Sequence, residues 1–229
     1  MAGSGLGIRG IEAIHAYVHD LERSRRFFTE KLDFSEVAAS GPDLVQRGRQ
    51  RSLVFEAGAC RVVCSTPVGE GGRAHRFLRK HPDGVGSLVF QVADIAAMFS
   101  VLEARGGTPI EDIEITEGPT GRFKSFVCAT PFGDTTFRFV EREGTFPYYP
   151  GFDIHPQARG GRNAFGFTRF DHVTSNFETM SPALLWLKHV IGLEELWHVA
   201  FHTDDVARRS DRHGSGLRSV VMWDPESGV

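Results

Sequence analysis

Phe170-Asp171-His172-Val173-Thr174-Ser175-Asn176 is the second copy of a segment already used at Ile11-Glu12-Ala13-Ile14. Sliding the sequence by 159 positions, the distance from Ala13 to His172, sets Leu21 under Met180 and Phe34 under Leu193. The same slide sets Phe27 and Phe28 under Trp186 and Leu187, and Glu36 under Glu195. Apolar residues match apolar ones through a strand and the helix after it. One exchange breaks the match: a histidine stands where the first copy has alanine. A repeat that keeps its packing residues and changes one inward-facing position predicts a scaffold used twice, with chemistry in one copy.

Outward from that pair, the first copy reads as alternating strand and helix. Over Ile11 to Val18, Ile14, Ala16 and Val18 alternate with Ala13, His15 and Tyr17, the period of a strand. Leu21 to Leu32 predicts a helix with Asp20 as N-cap and Phe27, Phe28 and Leu32 as its buried stripe. Ser52 to Phe55 and Arg61 to Cys64 predict a hairpin turning at Gly58. A second unit follows, with a strand over Gly84 to Val92 and a helix over Ile95 to Arg105 ending at Gly106-Gly107. Two more strands, Arg122 to Ala129 and Thr135 to Glu141, meet at Pro131-Phe132-Gly133-Asp134. The acidic stretch Glu111 to Glu117 reads as a solvated loop or an edge strand.

Residues 8–142 therefore hold two βαβββ modules. The predicted fold class is α+β, a curved half-barrel sheet with helices outside. Residues 143–169, rich in Pro and Gly, read as an interdomain linker. Residues 170–229 restart the first module: Ser181 to Val190 is its helix, with Ser181 at the cap and Pro182 at the first position, and Leu217 to Trp223 is its next strand. Arg218-Ser219 falls where Arg51-Ser52 stood at an offset of 167, so eight residues are inserted in the second copy. The second domain is expected to be incomplete, a C-terminal truncation of a protein of roughly 350 residues by the length of the repeat.

The totals exclude several functions. At 229 residues and 41% hydrophobic content, the chain is ordinary for a globular protein of two domains. A net charge of −3 argues against nucleic acid as a partner. The arginines at 47, 49 and 51, and at 208, 209 and 212, read as solvated strand ends and loops. No apolar run approaches the roughly 20 residues of a membrane span. Three cysteines without a CxxC pair, and an N-terminus without a leader pattern, predict a reduced, cytoplasmic setting. His198 and His202 are four apart, yet the run between them reads as strand or loop and offers no zinc pair.

Strand alternation puts His172 and Thr174 on one face, Asp171 and Val173 on the other. Taken alone, His172 is either a ligand or a hydrogen-bonded core histidine. Several passages resemble the 4-hydroxyphenylpyruvate dioxygenase family, with the hydroxymandelate synthases beside it, in the vicinal oxygen chelate superfamily. They are Phe170-Asp171-His172-Val173 with Asn176, Phe201-His202-Thr203-Asp204-Asp205-Val206, and Ser215-Gly216-Leu217-Arg218-Ser219-Val220-Val221. The first half adds Arg79-Lys80-His81-Pro82-Asp83-Gly84-Val85, and the linker adds Tyr149-Pro150-Gly151-Phe152.

The resemblance implies an Fe(II) site of two histidines and one carboxylate, open to an aromatic 2-keto acid and O2. It implies His172 as the first metal ligand, Ser219 as a polar group of the substrate pocket, and Val173 and Val221 as its apolar wall. It implies conversion of 4-hydroxyphenylpyruvate to homogentisate and CO2 in tyrosine catabolism, and self-association into a homo-oligomer. By the repeat, the other two ligands are expected near 250 and 300, their first-copy counterparts being Ser87 and Arg138. With Ala13, these make the first domain non-catalytic and the chain by itself inactive. Hydroxymandelate synthesis and a non-catalytic scaffold role are the alternatives.

Overall fold

The computed structural model describes residues 6–144, 149–202 and 216–228. The first module runs β1 (Ile8–Tyr17), α1 (Leu21–Arg26), β2 (Ser35–Ser40), α2 (Pro42–Gly48), β3 (Gln50–Ala57) and β4 (Cys60–Pro67). After α3 (Arg73–Leu78), the second runs β5 (Gly84–Val92), α4 (Ile95–Ala104), β6 (Thr108–Gly118), β7 (Gly121–Ala129) and β8 (Thr136–Gly144). These strands and β9 (Phe152–Gly160) form one nine-stranded sheet in the order β6-β7-β8-β5-β1-β4-β3-β2-β9. The order is symmetric: β1 pairs parallel with β4 as β5 does with β8, and the modules meet where β1 and β5 run antiparallel. Two βαβββ modules thus bury one helix-covered sheet, as expected.

Alternation along β1 decides which residues face the helices. Ile14 and Ala16 join the two cores beneath α1 and α4, whereas Ala13, His15 and Tyr17 turn to the concave side. Asp20 caps α1, its Oδ1 accepting from the Arg23 amide at 2.9 Å. The helix does not continue as a regular α-helix. Phe27–Lys31 is a π-helix, and the extra residue per turn swings Phe27 outward, 51% exposed, against its expected place in the buried stripe. Phe28 instead stacks on Phe55 at 5.0 Å.

The acidic stretch is an edge strand, β6, where charge and exposure discourage further pairing. The expected linker contains β9, which adds to β2 and ends the sheet. Pro156 is tolerated there because an edge strand needs only one row of hydrogen bonds. Cys60, Cys64 and Cys128 are free and buried in the cores. No helix among the described residues is long and apolar enough to cross a membrane.

The second copy repeats the first in detail. Helix α5 (Ser181–Trp186) also ends in a π-helix, Leu187–Ile191, and is followed by β10 (Glu194–His202) and β11 (Gly216–Trp223). A β-bulge falls between Glu36 and Ala38 in the β2–β3 ladder; the β10–β11 ladder has one between Glu195 and Trp197. Ala38 pairs with Val54, and the counterparts at offsets 159 and 167, Trp197 and Val221, pair as well. A rare π-turn and a bulge at matching positions are hard to obtain without a shared scaffold. One expectation fails here: the N-cap of α5 is Met180, without a side-chain bond, because Ser181 and Pro182 already lie inside the first turn.

Candidate functional site

The first candidate, His172, does not lie on a strand. Residues 161–180 contain no helix or strand, and the His172 side chain is 74% exposed. Its Nδ1 lies 2.9 Å from Asp171 Oδ2, and that hydrogen bond, with the charge of the ring, lowers the Asp171 pKa. The reason the predicted strand is missing is one of partners. In the first copy, β1 draws its ladder from β4 and β5. The same offsets place the counterparts of those strands from about 227 onward, leaving 170–176 without a described neighbour to bond.

What anchors this stretch is the first domain. The Ala59 amide donates to Thr168 O at 2.7 Å, and Phe167 and Phe170 pack on the core that holds Phe55. The contact needs glycine at 58: φ is +59°, and a Cβ would sit 2.1 Å from Phe167 O.

Ser219 and Val221 lie on β11, paired with Val199 and Trp197, and both are half-buried. Val173, 40% exposed, lies in the coil with His172. The structure therefore divides the predicted site residues between a coil and a strand pair. No group of three or more His, Cys, Asp or Glu able to hold a metal occurs among the described residues. His198, on β10, is exposed and paired with Glu195 at 2.7 Å; the side chain of His202 lies outside the described residues.

The corresponding positions of the first copy do converge. Ala13 and Arg138 are both register partners of Val89 on β5, and Ser87 lies two residues away on the same face. Ala13 is fully buried; Ser87 Oγ accepts from Thr136 Oγ1 at 3.2 Å; Arg138 donates to Ser125 Oγ at 3.1 Å and to Glu111 at 3.4 Å. A methyl, a hydroxyl and a guanidinium cannot serve as a ferrous ligand set, because arginine has no lone pair to offer and repels a cation.

Two polar regions flank these positions. At the N-terminal end of β1, a cleft of about 510 Å³ is lined by Glu12, Glu56, Arg61, Arg142, Arg169 and Asp171 among others. Its charges largely satisfy one another: Arg61 bonds Glu56 at 2.6 Å and Glu12 at 3.3 Å, and Arg142 also bonds Glu12. At the other end lie His15, Tyr17 and Arg73. The parity of Ala13, His15 and Tyr17 along β1 was the signal in the sequence that these three share a face; nothing local ties Arg73 to them. His15 Nε2 lies 2.7 Å from Ser65 Oγ. Burial, reinforced by the charges of Arg138 and Arg73, lowers the His15 pKa from 6.5 to about 3.

Comparison with known proteins adds relatives to this geometry. The sequence model described as Glyoxalase/Bleomycin resistance protein/Dioxygenase superfamily matches residues 10–136. A 4-hydroxyphenylpyruvate dioxygenase of Hordeum vulgare is 32% identical over 179 residues, 76% of this chain and 38% of its own length. One from Coccidioides posadasii is 23% identical over 240 residues, 96% of this chain and 58% of its own. Among solved structures, a 4-hydroxymandelate synthase variant from Streptomyces coelicolor superposes with a TM-score of 0.77 at 16% identity, covering 97% of this chain and 61% of that one. The chain spans about 40–60% of the length of these relatives.

Proposed function

Since the chain belongs to the glyoxalase/bleomycin resistance protein/dioxygenase superfamily, we propose that it forms part of an Fe(II)-dependent dioxygenase. Its substrates in this reading are 4-hydroxyphenylpyruvate and O2, and its products homogentisate and CO2. The observation that carries the reading is the duplicated ladder: β10–β11 repeats β2–β3 down to the bulge, while His172 replaces Ala13. In this reading, completion of the second repeat would bring His172 to the position at which the first copy keeps the methyl group of Ala13.

His172 is assigned as one metal ligand, Ser219 as a polar contact to substrate, and Val173 and Val221 as pocket wall. The donors described here do not by themselves fit iron: one exposed imidazole beside a single carboxylate falls short of a facial triad. No chemical step is therefore assigned to this chain alone. The first domain serves as support and as the contact for self-association into a homo-oligomer. Its three buried free thiols suit a reducing compartment such as the cytoplasm.

Anaerobic titration of the 229-residue chain with Fe(II) tests the division of labour. We expect no stoichiometric site and no turnover of 4-hydroxyphenylpyruvate. Tight one-to-one binding, with homogentisate formed, would overturn the assignment of the other two ligands to positions near 250 and 300. Formation of hydroxymandelate in place of homogentisate would overturn the product.

A further inference from the structure

The cleft at the N-terminal end of β1 lies on the seam between the two copies of the repeat. At the offsets of 159 and 167, Gly10, Ile11, Glu12 and Cys60 correspond to Arg169, Phe170, Asp171 and Ser227. All of them line the same space of about 510 Å³, so equivalent segments of the two copies meet around it. Two bulges shape the β1 side. The ladder with β5 steps from Ile8–Val92 to Gly10–Gln91, and from Ile11–Phe90 to Ala13–Val89. Arg9 and Glu12 are the extra residues, and a bulge re-aims the side chain that it adds. Both line the cleft. Pairing of β1 with β4 begins only at Ile14, which leaves the edge before it bordering the same space.

Each carboxylate of the cleft already has a cation. Glu12 bonds Arg61 and Arg142, Glu56 bonds Arg61 at 2.6 Å, and Asp171 is taken by His172 at 2.9 Å. Two guanidinium groups are left over. Arg9 and Arg169 are exposed, and neither has a carboxylate within 4 Å or a side-chain hydrogen bond among the described residues. Asp171 feels the charge of Arg169 from beyond that distance. The side-chain amide of Gln91, half-buried on β5, is likewise without a partner among them. Ile11 and Phe170, both half-buried, add apolar surface to the lining.

Two uncompensated cations call for a dianion. At neutral pH a phosphate monoester carries about two negative charges and three acceptor oxygens in one group, whereas a single carboxylate balances one arginine. The space exceeds what bare phosphate fills and falls within the range of small-molecule sites. We propose that this cleft binds a small organic phosphate, its dianionic head shared by Arg9, Arg169 and the Gln91 amide, its body lying toward Ile11 and Phe170. Arg9 belongs to the first copy and Arg169 to the second, so the ligand fastens the coil that carries His172 to the first domain.

The test is calorimetric titration of the 229-residue chain with phenyl phosphate, and in separate runs with inorganic phosphate and with benzoate. Phenyl phosphate is expected to bind one-to-one, at least tenfold tighter than either of the others. Arg9→Gln and Arg169→Gln are each expected to weaken it at least tenfold. Both side chains are exposed and bond nothing described, so neither change is expected to move the urea unfolding midpoint. Arg162→Gln, an exposed arginine outside the cleft, is expected to leave binding unchanged. Absence of saturable phenyl phosphate binding by the unmodified chain overturns the proposal, whatever the variants do. Unchanged binding in both cleft variants, or an equal loss in Arg162→Gln, overturns the placement. Benzoate binding as tightly overturns the dianion, and inorganic phosphate binding as tightly overturns the organic body.

Discussion

Phe139→Ala is expected to cost about 3–5 kcal/mol of folding free energy, enough to leave the first domain close to unfolding. Phe139 lies on β8 with no exposed surface, its ring 5.1 Å from Phe126 and 5.8 Å from Phe90, inside the core that α4 covers. Removing it opens a void that neighbouring strands cannot close, because β5 and β7 hold β8 from both sides. The matching control is Phe27→Ala. Phe27 carries the same side chain but points outward from the π-helix, so its loss is expected to cost below about 1 kcal/mol. Equilibrium urea unfolding measures both; equal costs would contradict the placement of the two rings.

Acidification is expected to destabilise the protein through His15. The unfolded chain binds a proton at this residue below pH 6.5, whereas the folded ring does not until about pH 3. A group whose folded pKa is depressed in this way makes the unfolded state bind more protons between those values. Stability therefore falls as pH falls from 6.5 toward 3, by about 1.4 kcal/mol per pH unit once the unfolded residue is fully protonated. Roughly 3 kcal/mol is lost at pH 4 by the same relation. Carboxylates titrate in the same range, so the comparison must be with His15→Gln, whose curve is expected to be flatter by that amount. Parallel curves for the two proteins would contradict the buried neutral imidazole.

Much of the architecture was legible because it rests on local period and on repetition. The strand alternation of β1, the Asp20 cap and the offsets of 159 and 167 need no knowledge of distant partners. Elements with weak local signals were missed. Strand β2 carries Ala38 and Ala39, poor strand formers, and is a strand because β3 and β9 flank it. Helices α2 and α3, of seven and six residues, are too short to show a period.

The stretch 170–176 shows the opposite error. Its sequence reads as a strand, but a strand is completed by neighbours, and none is described for it. The candidate sites divide the same way. His172 was found because a copy stood beside it for comparison. The Arg73 and His15 cluster was not, because a helix and a strand 58 residues apart in sequence meet only in three dimensions.

The central claim is that the imidazole introduced in the second copy becomes an iron ligand once the rest of its module surrounds it. Its most direct test is Fe(II) binding by a form of the chain extended through a complete second repeat, measured with and without His172→Ala. The account predicts one tightly bound iron in the extended protein and at least a hundredfold weaker binding in the variant, about 2.7 kcal/mol or more. Undiminished iron binding without that imidazole would contradict it.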